Sequence, residues 1–181
     1  MKKVYFMLAD GFEETEFVTP WDLLLRAGAD VTTVSISGKH EVNGAHGLPV
    51  KADKLIGDIE ADCDMIVLPG GGKGTENLKS SVETGELVTK IYNNGGFVCA
   101  ICAAPTILSE LGLLDGVNAI CFPGMEGLLK NAVLSKKKVV RDGNIITAAA
   151  MGVSLEFGLA LVDALFGANT AAEIAEKIVS R

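Results

Sequence analysis

Apolar positions along this chain fall into two kinds of run, short unbroken ones and longer ones with helical spacing. Lys3 to Ala9 is almost wholly apolar without clean alternation, which predicts a strand buried on both faces in a parallel sheet. Asp10-Gly11-Phe12 reads as a turn. Glu13 to Ala27 then places Val18, Trp21, Leu24 and Leu25 on one face at helical spacing. Pro20 interrupts that pattern and predicts a break or kink near Thr19, and Gly28 closes the helix. Val31 to Ile36 is a second strand. Gly38 to Asp53 holds three glycines, Pro49 and both histidines, and reads as a loop containing a short hairpin. Asp64 to Leu68 is a third strand, ended abruptly by Pro69-Gly70-Gly71-Gly72. Val82 to Asn93 is a helix, Phe97 to Ile101 a fourth strand, and a further helix runs from Ala103 to about Leu111.

The later chain continues in the same way. Asn118 to Phe122 reads as a short strand, and Val139 to Thr147 as a hairpin around an Asp-Gly turn. Ser154 to Phe166 is an apolar helix, with Ser154 expected as its cap and Gly167 as its end. Thr170-Ala171-Ala172-Glu173 has the spacing of a capping box opening a last helix. Strands alternating with helices predict an α/β fold, a doubly wound, mostly parallel sheet with helices on both faces. No repeat, linker or low-complexity stretch divides residues 1–181, so a single domain is expected. Ligands in such sheets bind beyond the carboxyl ends of the strands. Four of those ends carry unusual residues: Asp10 to Glu16, Pro69 to Gly74, Cys102, and Ala148 to Gly152.

Composition narrows the function. The chain is 49% apolar and 22% charged, which suits one globular core. A net charge of −7 argues against nucleic-acid binding, and Lys136-Lys137-Lys138 is the only basic run, read as a solvated turn. No stretch approaches the roughly 20 apolar residues of a membrane span. Val4 to Leu8 is too short for a secretory leader, so the cytoplasm is the expected location. Four cysteines in such a chain are not a disulfide framework.

The chemistry centres on Cys102. It follows the strand Phe97 to Ile101 and precedes a helix with Pro105 in its first turn. The serine of a Gly-x-Ser-x-Gly elbow occupies the same position. A helix N-terminus presents free N–H groups and partial positive charge, so a thiolate is expected there. A cysteine nucleophile also needs a proton partner and donors for oxyanion charge. Glu13, Glu14 and Glu16 are candidates for the first, and the bare backbone at Gly70, Gly71 and Gly72 for the second. Cys99 and Cys102 form a Cys-x-x-Cys pair, but a strand separates residues three apart by roughly 10 Å. A disulfide needs Cα atoms within about 7 Å. Cys99 is therefore read as a buried small hydrophobe. Cys63 and Cys121 are read as structural, with Cys121 close enough to a strand end to approach the site. No second Cys-x-x-Cys exists and His40 and His46 share one distant loop, so no zinc site is expected.

Four motifs, spread nearly end to end, carry a resemblance. They are Ala9-Asp10-Gly11-Phe12-Glu13-Glu14-Thr15-Glu16 with Pro20 and Asp22, Val67-Leu68-Pro69-Gly70-Gly71 with Asn77-Leu78, Ala100-Ile101-Cys102-Ala103-Ala104-Pro105-Thr106, and Gly152 to Phe157. With them the sequence resembles the ThiJ/PfpI superfamily, in the branch of the Parkinson-disease protein deglycase and its small bacterial relatives. The resemblance implies a flavodoxin-like sandwich and a homodimer using the helix with Trp21 and Leu25. It implies that Cys102 is the reactive cysteine on a strained elbow and Glu16 the acid contacting it. Gly71 and Ala103 become backbone oxyanion donors. It implies activity on small reactive dicarbonyls or their adducts, of glyoxalase or deglycase type, without a cofactor or metal. The alternatives it carries are an oxidative-stress sensor or chaperone acting through Cys102 oxidation, and a cysteine peptidase. Three positions depart from the relatives. Phe122 stands where many carry a histidine, which weakens the peptidase alternative. His46 and Ala149 stand where relatives carry arginines, and His46 is a candidate pocket residue.

Overall fold

The computed structural model describes residues 1–180. The chain begins with β1 (Lys3–Leu8), α1 (Glu14–Arg26) and β2 (Asp30–Ser35), followed by a hairpin of β3 (Glu41–Asn43) and β4 (Pro49–Lys51) and the short β5 (Lys54–Leu55). Next come β6 (Met65–Leu68), α2 (Gly72–Ser80), α3 (Val82–Asn93), β7 (Phe97–Ile101) and α4 (Pro105–Glu110). The last part holds β8 (Asn118–Ala119), β9 (Val133–Leu134), β10 (Val139–Asp142), β11 (Ile145–Ala148), α5 (Ser154–Phe166) and α6 (Ala168–Lys177).

Seven strands form one sheet in the order β10-β11-β7-β6-β1-β2-β5. Every neighbouring pair is parallel except β10 with β11. Alternation along β1 divides the interior. Phe6 and Leu8 point to one face, where α1 and α5 bring Phe17, Leu24, Phe157 and Leu161. Tyr5 and Met7 point to the other, where Leu78, Val88, Ile91 and Leu108 pack. Both faces are covered, which is why the central strands read as unbroken apolar runs. Among the described residues no helix is long and apolar enough to cross a membrane.

Several local expectations give way to tertiary packing. Pro20 lies inside an unbroken α1. Its ring is buried where α1 crosses α5, and α5 supplies Gly158 there: a Cβ on Gly158 would sit 3.0 Å from the Pro20 Cα. Close packing offsets the missing i→i−4 bond. Ser154 does not cap α5; its hydroxyl donates to the Met151 carbonyl instead. Thr170 opens no capping box, because α6 already begins at Ala168, directly after Gly167 turns the chain at φ +88°. The Thr170 hydroxyl donates back to the Phe166 carbonyl. The helix after Cys102 starts at Pro105, not Ala103, and runs six residues. The strand at Asn118 is two residues long and pairs with β9 outside the main sheet. The β10–β11 turn has Gly143 at φ +58° as the first of two turn residues. Three elements escape the sequence pattern altogether: the edge strand β5, the short β9, and α2, whose one buried large apolar residue is Leu78.

Candidate active site

The ends of β1, β6, β7 and β11 converge on one rim, as their residue types predict. β7 carries the chain to Cys102, which adopts φ +65°, a left-handed conformation that costs a non-glycine residue roughly 1 to 2 kcal/mol. Two backbone bonds hold it there. The Cys102 N–H donates to the Ala148 carbonyl at 2.9 Å, and the Cys102 carbonyl accepts from the Phe122 N–H at 2.7 Å. The strained residue is thus tied to β11 on one side and to the segment after β8 on the other.

Opposite Cys102, the first turn of α1 delivers Glu16, fully buried. Its Oε2 accepts from the Gly70 N–H at 2.9 Å, and its Oε1 has no hydrogen-bond partner among the described residues. Gly70 separates the two reactive side chains. A Cβ there would collide with Glu16 Oε2 and lie 2.6 Å from the Cys102 Cβ. The next residue, Gly71, has φ +89°, and a Cβ on it would lie 2.7 Å from the Glu13 backbone nitrogen. Only glycine lets this loop pass between α1 and the elbow.

Burial pushes the Glu16 carboxyl up to about 7; the nearby Cys102 thiol and the Gly70 N–H favour the ionised form without overcoming it, and the Glu13 charge pushes further up. Burial also pushes the Cys102 thiol up to about 12, and the Glu16 charge adds to it. The backbone N–H groups of Gly71 and Ala103 reach the sulfur and pull the other way. The expectation of a thiolate favoured by the helix start is therefore corrected. The helix begins two residues further on and is short, so desolvation and a neighbouring carboxylate prevail. With Glu16 protonated its repulsion disappears, so the two groups titrate as a coupled pair.

The pair opens onto a cavity of about 340 Å³. Glu13, Gly71, Gly72 and Ala103 form its polar side, with Glu16 and Cys102 at the base. Phe122, Met125, Ala150 and Met151 form an apolar wall built from two separate loops; Ala150 and Met151 lie in the expected strand end Ala148 to Gly152, whereas sequence reasoning missed Met125 and the joining of the two loops. Glu13 and Glu16, three apart, share a face of the α1 start. Glu14 turns away and joins His46: the His46 backbone N–H donates to Glu14 Oε1 at 2.6 Å, and His46 Nδ1 lies 2.8 Å from Glu14 Oε2. His46 is largely exposed and lies outside the cavity wall. Ligand-type atoms of Glu13, Glu14 and His46 fall within 4.8 Å of one another. Ala149 is not among the wall residues either, although Ala150 is. Cys121 is fully buried and only its neighbour Phe122 reaches the cavity; Cys99 is buried in the sheet.

Comparison with known proteins agrees with the fold. The family model described as DJ-1/PfpI family matches residues 2–164. Protein DJ-1 homolog B of Arabidopsis thaliana is 38% identical over 99% of this chain, and the chain spans 42% of that protein's length. Protein dj-1beta of Drosophila melanogaster is 34% identical over 98% of this chain and 97% of its own length. Among solved structures, the oxidized form of Toxoplasma gondii DJ-1 superposes with a TM-score of 0.95 at 31% identity, covering 99% of this chain and 98% of that one.

Proposed function

The chain belongs to the DJ-1/PfpI family, and from that premise we propose that it is a cofactor-independent cysteine enzyme acting on small α-oxoaldehydes or their adducts, of glyoxalase or deglycase type. The observation that carries the reading is Cys102 held beside a buried carboxyl whose pKa is raised to about 7, with the N–H groups of Gly71 and Ala103 at the sulfur. A general acid–base works best when its pKa lies near the operating pH.

In this reading the Cys102 sulfur attacks the aldehyde carbon. The carbonyl π pair moves to oxygen, where the Gly71 and Ala103 N–H groups stabilise the developing charge. The thiol proton passes through Glu16 to that oxygen, giving a hemithioacetal. Glu16, a carboxylate before that relay and again after it, removes the proton from the former aldehyde carbon, the hydroxyl proton on that carbon moves to the neighbouring oxygen, and Glu16 returns its own proton to the adjacent carbon. The product is a thioester of a 2-hydroxy acid, and water hydrolyses it to the free acid and the Cys102 thiol. The oxidation of one carbon balances the reduction of its neighbour, so no external redox partner is needed. An adduct enters the same sequence once its amine or thiol has left.

Methylglyoxal turnover to lactate is the test, with wild type, Cys102→Ser and Glu16→Gln side by side. Wild-type turnover with losses of roughly 10²-fold or more in both variants is the expected result. Full activity in Glu16→Gln would overturn the proton-transfer role. A second reading, a redox sensor in which Cys102 oxidises, is supported by the oxidized state of the Toxoplasma relative and by the opening of Cys102 onto a cavity. Wild-type protein inert to methylglyoxal but converted at Cys102 by mild peroxide would favour it. A peptidase reading lacks an imidazole: Phe122 lines the cavity and His46 does not.

A further inference from the structure

The cavity wall carries charge of one sign. Its ionisable residues besides Cys102 are Glu13 and Glu16, with no lysine, arginine or histidine among the lining residues. Glu16 is fully buried and tied to Gly70, so below about pH 7 it contributes little charge. Glu13 is different. Its backbone is fixed at the start of α1, with its N–H donating to the Gly70 carbonyl at 3.0 Å, while its side chain keeps 18% exposure on the cavity side. Its charge is felt at Glu16 across the same space. His46 is engaged with Glu14, and its Nδ1 stands 4.0 Å from Glu13 Oε2. Even a protonated His46 leaves the Glu13, Glu14 and His46 group net negative.

The positive features sit elsewhere. The Gly71 and Ala103 N–H groups act at the sulfur, where the reacting oxygen develops charge. They favour an oxyanion there and do nothing for a permanent anion carried further out on a substrate. Away from the sulfur the space is shared by Glu13 and the apolar faces of Phe122, Met125 and Met151. A substituent entering it meets hydrocarbon, thioether and one carboxylate.

We propose that Glu13 and this apolar wall make the Cys102 cavity selective for uncharged α-oxoaldehydes with an apolar substituent, and that Glu13 excludes anionic ones. The substrate class rests on the function proposed above; the charge selectivity at the sulfur does not, and the experiment separates them.

Cys102 is alkylated at pH 6 with uncharged iodoacetamide or anionic iodoacetate, each losing iodide to the sulfur, and the site is quantified by peptide mass spectrometry. The ratio of the two rates is divided by the same ratio for free cysteine. A unit charge several ångströms away in partly desolvated surroundings makes a preference of roughly tenfold for iodoacetamide. Glu13→Gln reduces that preference at least threefold and Glu13→Lys reverses it. Added salt at 1 M weakens it in the wild-type protein, an arm that needs no variant. The same three proteins are then given phenylglyoxal and 4-carboxyphenylglyoxal, which differ by one carboxylate. Wild type is expected to prefer phenylglyoxal in kcat/KM by about the same factor, and Glu13→Gln to narrow the gap. A wild-type alkylation ratio equal to that of free cysteine, or one unchanged in Glu13→Gln and by salt, overturns the proposal. Selective alkylation with no turnover of either oxoaldehyde upholds the charge selectivity and removes the enzymatic reading.

Discussion

The Gly70 N–H donates to Glu16 Oε2 at 2.9 Å, and this bond fixes the carboxyl beside Cys102. Gly70 lacks a side chain at the one point where a Cβ would strike both partners. Gly70→Ala must therefore displace Glu16, Cys102 or the loop. Overpacking of this kind costs about 1 to 3 kcal/mol. Urea unfolding should show that loss, and methylglyoxal turnover should fall at least tenfold. Gly57→Ala, where a Cβ meets nothing within 4 Å, should stay within about 0.5 kcal/mol of wild type.

Glu16 makes stability depend on pH with a defined sign. Its carboxyl titrates near 7 in the folded chain against 4.5 for the ordinary group. Between those values the unfolded chain gives up this proton while the folded chain keeps it, so this contribution is complete below about pH 4.5 and lost as pH rises through 7. The loss is on the order of 3 kcal/mol. Glu16→Gln has no such proton. The stability of wild type relative to Glu16→Gln should fall between pH 5 and pH 8; a difference that stays flat across that range would show that burial does not hold the proton.

Cys102 should be the first cysteine modified by brief iodoacetamide treatment. Burial pushes the Cys63 thiol up to about 12 and the Cys121 thiol up to about 11, and it holds the Cys99 thiol inside the sheet well above its ordinary value. Cys102 is raised as well, but it lines a cavity and its thiolate has two N–H groups waiting. Its rate should keep climbing from pH 7 to pH 9 without a plateau, because its pKa lies above that range. Mass spectrometry led by Cys63 would reject the assignment.

Assembly is a separate proposal. Val18 and Leu25 of α1 are 38% and 42% exposed, and Trp21 between them is only partly buried. We propose that this face pairs with a second copy in a closed twofold dimer. Light scattering should report about twice the 18.9 kDa chain mass, and Leu25→Glu should shift it toward the monomer. A monomeric wild-type protein at micromolar concentration would reject the pairing.

Sequence pattern by itself determined the elements whose burial follows a local period, β7 buried along its length and α3 along one face. β7 and α3 fall where apolar runs and helical spacing place them, and the four strand ends that carry the site were marked by Asp10 to Glu16, Pro69 to Gly74, Cys102, and Ala148 to Gly152. Those signals are local: a buried strand must be apolar, and a bare turn must be glycine. Tertiary structure decided whatever depends on a partner distant in the chain. Three carboxylates stand within four residues, yet only Glu16 is buried against Gly70, Glu13 lines the cavity and Glu14 meets His46. α2 has too few apolar residues to announce itself, and its docking depends on Gly74 lying flat against the Phe12 backbone. Pro20 survives mid-helix because Gly158 makes room for it. The protonation of Cys102 followed the same rule. A helix start alone favours a thiolate, but desolvation and the charge of Glu16 act through space and outweigh it.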